Sequence, residues 1–360
     1  MSRFLSARYR DLIPYVPGEQ PVGRTYIKLN TNESPFPVDE EVLKEAFRKC
    51  RPFQLYSDPE SVELRQAMGG VYGLSGREVL ACNGSDEALN LAFMTFCDEE
   101  TPALFPDVTY GFYRVASDAN RVPYEEVPLR EDFSLALSDY EGKRGTLFLA
   151  NPNAPTGMAL ARGDIEQWLS NHPDQLTVVD EAYVDFGSES CAPLVRKYPN
   201  LLVVQTFSKS RSLAGARLGF AFGGEDLIRD LNTLRNAVAP YNVNSMTQAL
   251  GLEVLKRQDQ VKERCRVIGE TRSWTENMLR ELGFFVLPSK TNFVFAQSDR
   301  MSGEALYIAL REKGILVRHF DSPRIRDYNR ISIGTMEQME ALKRALTEVL
   351  NEGRVPHAEK

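Results

Sequence analysis

Between residues 79 and 222 short apolar runs alternate with longer amphipathic segments, and nothing else in the chain restricts its fold as much. The runs at 79–82, 103–105, 122–127, 146–150, 176–179, 201–205 and 218–222 have strand length and are rich in apolar and β-branched residues. Helical patterns such as 86–97 and 164–170 lie between them. Parallel strands need crossover connections, usually helices, so the alternation predicts an α/β unit with a mainly parallel sheet sandwiched by helices. Ligands of such sheets collect at the carboxyl ends of the strands, so the polar loops there are where chemistry belongs.

After Asn244 the pattern changes. Apolar periodicity predicts one long helical stretch over 245–282, then short strands at 284–287, 292–296, 315–318 and 330–333 separated by two helices. This reads as a smaller α+β domain. The expected division is an N-terminal arm over 1–35 that joins the small domain, a large domain over 36–244 and the small domain over 245–360. No repeat or low-complexity tract interrupts it.

A net charge of −7 and the lack of a basic run interleaved with aromatics disfavour nucleic acid and anionic membrane as partners. No apolar segment approaches membrane-spanning length, and the first residues lack the apolar stretch of a signal peptide. A cytoplasmic enzyme is expected. The five cysteines are scattered without a Cys-x-x-Cys pair, which reads as free thiols and not a disulfide frame or zinc site. The three histidines, His172, His319 and His357, share no metal-ligand spacing, so no metal is expected. Proton chemistry then falls to lysine.

Three loops carry the chemical signal. Gly84 and Ser85 stand between a strand and a helix, with Asp86 and Glu87 in its first turn. Free backbone N–H groups and the helix dipole there suit a phosphate, although an ordinary Ser/Asp cap has the same composition. Asp180 ends an apolar strand, where a buried carboxylate needs a cation such as a protonated ring nitrogen or a structural arginine. The stretch TFSKSRSLAGARLG at 206–219 puts Lys209 after a strand, among hydroxyls, with Arg217 eight residues on. A lysine desolvated near other cations titrates low enough to act as a nucleophile and form a Schiff base. A basic surface loop would explain the charges, but not the small residues Ala214, Gly215 and Gly219.

A phosphate cradle, an acid for a ring nitrogen and a reactive lysine follow one another at successive strand ends, the order of a pyridoxal phosphate enzyme. The chain resembles the fold type I aminotransferases over nearly its whole length, and within them the histidinol-phosphate aminotransferase group. The resemblance rests on IPYVPG at 13–18, LNTNESP at 29–35, YSDP at 56–59, GSDE at 84–87, DEAY at 180–183, the Lys209 stretch, YNVNS at 241–245, GILVR at 314–318 and RISIGT at 330–335.

By this resemblance Lys209 carries pyridoxal 5′-phosphate as an aldimine and moves the proton during transamination. Asp180 holds the ring nitrogen protonated, and Tyr183 donates to the phenolic oxygen O3′. Tyr110 stacks on the ring, while Gly84, Ser85, Asp86, Thr206, Ser208 and Arg217 hold the phosphate. Tyr56 reaches that phosphate from a partner subunit, which implies a homodimer with shared active sites. Arg330 grips the α-carboxylate and Arg318 a second anion, with Tyr15, Asn32 and Asn244 as pocket walls. The implied reaction is ping-pong: glutamate leaves as 2-oxoglutarate, then imidazole acetol phosphate leaves as histidinol phosphate, a step of histidine biosynthesis. An aromatic amino acid aminotransferase and a threonine-phosphate decarboxylase would share the same cofactor residues. A nicotinamide oxidoreductase would need a Gly-x-Gly-x-x-Gly turn that the first βα unit lacks.

One stretch departs from the family pattern. In NPNAPTG at 151–157 Ala154 stands where the family has an asparagine that donates to O3′. The expectation is that Tyr183 keeps its contact, with Asn153 or a water in the missing role.

Overall fold

The computed structural model describes residues 2–20, 23 and 25–352; His357 lies outside them. The chain order is β1 (Ile27–Lys28), α1 (Glu40–Lys49), α2 (Val62–Val71), β2 (Val79–Cys82), α3 (Ser85–Phe96), β3 (Ala103–Pro106), α4 (Phe112–Asn120) and β4 (Tyr124–Val127). There follow β5 (Thr146–Ala150), α5 (Arg162–Asn171), β6 (Thr177–Asp180), β7 (Leu201–Thr206), β8 (Gly219–Phe222), α6 (Glu225–Val238), α7 (Ser245–Leu255) and α8 (Gln258–Glu281). The chain then runs through β9 (Phe284–Val286), β10 (Phe293–Ser298), α9 (Gly303–Glu312), β11 (Ile315–Leu316), β12 (Arg318–His319), β13 (Tyr328–Ser332) and α10 (Met336–Glu352).

Seven strands form the main sheet in the order β2-β8-β7-β6-β5-β3-β4. Only β8 runs against its neighbours, so the other six strands point the same way and bring their carboxyl ends to one edge. Side chains alternate between the two faces with the period of two that a strand imposes. Leu80, Val178, Leu202, Val204 and Ala221 pack beneath α3, α4 and α6. Val79, Val179, Leu201, Val203 and Phe220 pack on the opposite side with α2, α5, α7 and α8. Both faces are therefore dry, which is why β5, β6 and β7 are continuous apolar runs ending in one polar residue or loop. Phe93 of α3 stacks on Phe148 of β5 at 4.0 Å and helps to fix that helix above the sheet.

A second sheet, β12-β13-β10-β9, is antiparallel throughout. The arm lies beside it: β1 and β11 form a separate two-stranded parallel sheet, and Ser332 N–H of β13 donates to Leu29 O at 2.9 Å. Nearer its start, Arg8 Nη2 donates to Ala119 O at the end of α4, so the first residues also touch the large sheet's helical layer. The helical stretch expected over 245–282 is two helices, because Lys256 and Arg257 step out of the helix, Arg257 with φ −112° and ψ 36°. Only α9 lies between strands of the smaller unit; the second expected helix, α10, follows the last strand.

Candidate active site

The carboxyl ends of β5, β6 and β7 and the turn after β2 line one cavity of about 370 Å³, closed on the other side by Tyr15, Pro17, Gly18 and residues 30–33 of the arm and by Arg318 and Arg330. Its volume is that of a site for a small ligand. Lys209, Asp180, Tyr183, Tyr110, Ser85, Asp86, Thr206, Ser208, Arg217, Arg318, Arg330, Tyr15 and Asn32 all contribute to its walls.

One end is a cradle for an anion. Gly84 has φ +84°, and a Cβ there would lie 2.6 Å from Arg217 Nη2, so only glycine lets the guanidinium approach the start of α3. A Cβ on Gly219 would lie 2.5 Å from Ser85 N, so a second glycine permits the turn to sit against β8. Thr206 Oγ1 donates to Ser208 Oγ at 2.9 Å and accepts from Ser208 N–H at 3.1 Å, which sets both hydroxyls at the end of β7. Asp86 accepts from Tyr110 Oη at 2.8 Å and from Arg217 Nη2 at 3.1 Å. Helix N–H groups, two hydroxyls and a guanidinium around a space that a side chain would fill suit a phosphate.

Asp180 is buried at 5% exposure, and burial pushes its carboxyl up to about 6. It accepts from Tyr113 Oη at 3.0 Å and from Ala182 N–H at 3.1 Å. Those bonds favour its charged form without neutralising it, so a cation is the missing partner. The amine of Lys209 donates to Thr31 O at 3.1 Å. Burial first, and the nearby Arg330 second, push that amine down to about 8. Arg330 donates to Asn30 O at 3.3 Å, yet its Nε is shielded from solvent with no partner. A guanidinium so placed, its pKa lowered by burial, has capacity for an anion. Arg318 turns toward the arm, donating to Val16 O at 3.0 Å and Pro17 O at 3.3 Å.

Of the expected residues Gly84 lies behind the wall, at the turn before Ser85, and three more lie off the cavity. Asn153 is turned away: its amide donates to Val108 O at 2.9 Å and Thr156 Oγ1 at 3.0 Å, and its oxygen accepts from Thr109. With both polar atoms of its side chain engaged, by Thr156 within the turn and by Val108 and Thr109 in the loop after β3, it ties the NPNAPTG loop to that neighbour and faces no ligand in the cavity. Asn244 caps α7, accepting from Thr247 N–H at 2.9 Å, and is no wall of this chain's cavity. Tyr56 is 76% exposed and stacks on Tyr241 at 4.5 Å, clear of its own chain's site. Asn32, expected as a wall, also donates from its amide to Tyr183 Oη at 3.0 Å. Tyr113 and Thr31 were not singled out as site residues in the sequence: Tyr113 stands in no motif, and Thr31, inside LNTNESP, meets Lys209 through its backbone oxygen; both are found only through their bonds to Asp180 and Lys209. His319 bonds Arg326 O at 2.8 Å outside the cavity wall, and His172 stacks on Trp168 far from it. Among the described residues no cluster of three or more His, Cys, Asp or Glu side chains could hold a metal ion.

The family model for aminotransferase class I and II matches residues 24–346. Histidinol-phosphate aminotransferase of Clostridium botulinum strain Hall is 42% identical over 98% of this chain and 99% of its own length. Histidinol-phosphate aminotransferase 1 of Bradyrhizobium diazoefficiens is 45% identical over 97% of this chain and 100% of its own. The crystal structure of histidinol-phosphate aminotransferase from Sinorhizobium meliloti in complex with pyridoxal-5′-phosphate superposes with a TM-score of 0.81, at 25% identity, covering 92% of each chain.

Proposed function

The chain belongs to the class I and II aminotransferases, and from that membership we propose that it transfers an amino group from glutamate to imidazole acetol phosphate, yielding 2-oxoglutarate and histidinol phosphate. The observation that carries this reading is one cavity holding a lysine with a lowered pKa, a glycine-lined phosphate cradle and two arginines on the opposite wall. The residues fit pyridoxal 5′-phosphate: Ser85, Thr206, Ser208 and Arg217 hold its phosphate, Asp180 its ring nitrogen, Tyr183 its phenolic oxygen and Tyr110 its face. When bound, the cofactor supplies an electron sink for the charge left on the substrate carbon as a proton is removed.

The protein's part is binding, orientation and proton transfer. Lys209 Nζ, with its pKa near 8, is in part neutral at physiological pH and can take a proton and return it. Asp180, desolvated and in need of a cation, favours a proton on a ring nitrogen that faces it. Arg330 binds the α-carboxylate, since its free Nε offers half of a bidentate fork. Arg318 takes the second anion, the side-chain carboxylate of glutamate or the phosphate of the other substrate. Tyr15 covers the site from the arm, edge-on to Tyr110 at 5.9 Å.

A homodimer with shared sites belongs to this reading. Its support is Tyr56, held by Tyr241 on a face where Phe53 and Leu55 are also exposed. A cytoplasmic location accords with five free cysteines.

The test uses protein loaded with pyridoxal phosphate. Glutamate and histidinol phosphate should each bleach its visible band, and phenylalanine should do so far more slowly. An equal response to phenylalanine overturns the substrate assignment, and release of carbon dioxide from phosphothreonine without a keto product assigns a lyase. Turnover of glutamate by Lys209→Ala protein defeats the mechanism.

A further inference from the structure

Ala154 removes the side chain that would make a second contact to O3′, and Asn153 does not replace it, because its amide is spent on Val108 and Thr156. The cavity nevertheless contains one more amide, and it comes from the arm. Asn32 is 1% exposed, with φ +54°, in the left-handed region that asparagine tolerates better than most residues. Its conformation is held from three sides. Asn32 N–H donates to Ser332 Oγ at 2.8 Å, Ser332 Oγ donates to Asn32 Oδ1 at 2.9 Å, and Asn32 O accepts from Asn292 Nδ2 at 3.0 Å. With Oδ1 occupied by the serine proton, Nδ2 is left to donate to Tyr183 Oη at 3.0 Å.

We propose that Asn32 is the positioning residue that stands in for the missing family asparagine, acting on the cofactor's O3′ through the hydroxyl of Tyr183. The inference rests on the reading of the site as one for pyridoxal phosphate. A tyrosine hydroxyl has one proton to give. An amide donating to its oxygen turns that proton away from Asn32, toward the cavity wall shared with Ala154, Asp180 and Lys209. Polarised by that bond, the hydroxyl is also a stronger donor. The asparagine beside the ligand is absent, and the tyrosine contact that remains is supported from behind by Asn32. The anchor Ser332 lies two residues from Arg330, so one strand, β13, supports both the substrate arginine and the contact to the ring.

The charged groups that face Tyr183 are Arg330 from β13, Asp180 from β6, Asp86 from α3 and Lys209 from the loop after β7. Substitution at 32 or 154 alters none of them. A hydroxyl donating to O3′ spreads the negative charge on that oxygen. When the donation weakens, the proton that O3′ shares with the neighbouring nitrogen is held more tightly. The pH midpoint of the visible band in the loaded protein therefore rises.

The experiment titrates that band in wild type, Asn32→Gly, Ala154→Asn, the Asn32→Gly/Ala154→Asn pair and Tyr183→Phe. Glycine accepts the backbone angle at 32, and thermal unfolding by circular dichroism reports whether each variant is folded. The midpoint should rise by about one unit in Asn32→Gly, and Ala154→Asn should reverse at least half of that rise in the double variant. An unmoved midpoint in Asn32→Gly beside a raised one in Tyr183→Phe overturns the inference, as does a rise that Ala154→Asn leaves in place. Protein that forms no visible band with pyridoxal phosphate fails the functional reading itself, and a normal band with an unmoved midpoint fails this inference alone.

Discussion

At the scale of single residues the site turns on two cations in one dry space. Lys209 and Arg330 line the same cavity, and the arginine's charge is among the causes that lower the lysine's pKa. Arg330→Gln removes that charge, so the amine should hold its proton more tightly. The rate at which unloaded protein captures pyridoxal phosphate follows the neutral amine, with a midpoint near pH 8 in wild type. In the variant that midpoint should move up by roughly half a unit or more, as expected for loss of a nearby like charge. Arg330→Lys, which keeps the charge but loses the planar fork, should leave the midpoint nearer to wild type. It should raise KM for glutamate by about tenfold or more, the size of a lost charge-assisted hydrogen bond. Steady-state kinetics across pH separates the two effects. Lys209, Asp180 and Arg217 are legible in sequence because each stands in a short motif at the end of an apolar run. Tyr113 is not, since its hydroxyl meets Asp180 across 67 residues of chain.

Elements matter by where they end. The phosphate cradle exists because the turn before α3 has no side chain at Gly84, where a Cβ would strike Arg217. Gly84→Ala must move the guanidinium or the turn and also forces φ +84° on a residue that disfavours it. A cost of about 1–3 kcal/mol in stability is expected from that strain. Retention of pyridoxal phosphate on dialysis should fall at least tenfold, because the cradle opens; unfolding curves and dialysis equilibria measure the two separately. The loop that carries Lys209 is fastened in the same local manner. Arg211, buried at 4% exposure, pairs with Asp185, which follows Tyr183 by two residues, so the lysine and tyrosine segments move together. Strand positions in the main sheet were readable as short apolar runs, continuous because both faces of the sheet are buried. The split of the helical stretch after 245 was not, because apolar spacing continues across Lys256 and Arg257 while the backbone turns.

For the whole molecule, the unloaded site carries an electrostatic cost. Asp180 and Glu181 are both buried, and burial raises them to about 6 and about 7. Glu181 is served by Ser190, Cys191 N–H and Gln205, and none of these brings a positive charge. Each carboxyl binds its proton more tightly folded than unfolded. The stability it contributes is therefore full below its unfolded pKa near 4 and lost as pH rises through 6 and 7. Unloaded protein should lose up to about 3 kcal/mol per group between about pH 4 and pH 8 from these two residues. Denaturant titrations should show a shallower fall in Glu181→Gln, and also in loaded protein, where a ring cation offsets Asp180. The proposed shared site enters at the same scale: Tyr56→Phe should weaken cofactor retention several-fold and leave sedimentation at that of wild type. A monomer in solution would remove the shared site.

What the chain determined alone is what short-range physical chemistry encodes. Short continuous apolar runs, the glycines at close turns and the polar residues closing the strands specify the sheet, the edge where ligands gather and the residues nearest them. Contacts between distant segments depend on how the arm and the second sheet close over that edge. Asn32 reaches Tyr183 across 151 residues and is anchored by Ser332 across 300. Nothing local to the LNTNESP stretch distinguishes a pocket wall from a support for the tyrosine. Nor does NPNAPTG by itself reveal that Asn153 is bound to Val108 and Thr109 of the loop after β3. Both follow from side-chain hydrogen bonds that form only when the whole chain has packed, since a buried amide takes whichever partners the tertiary structure sets beside it.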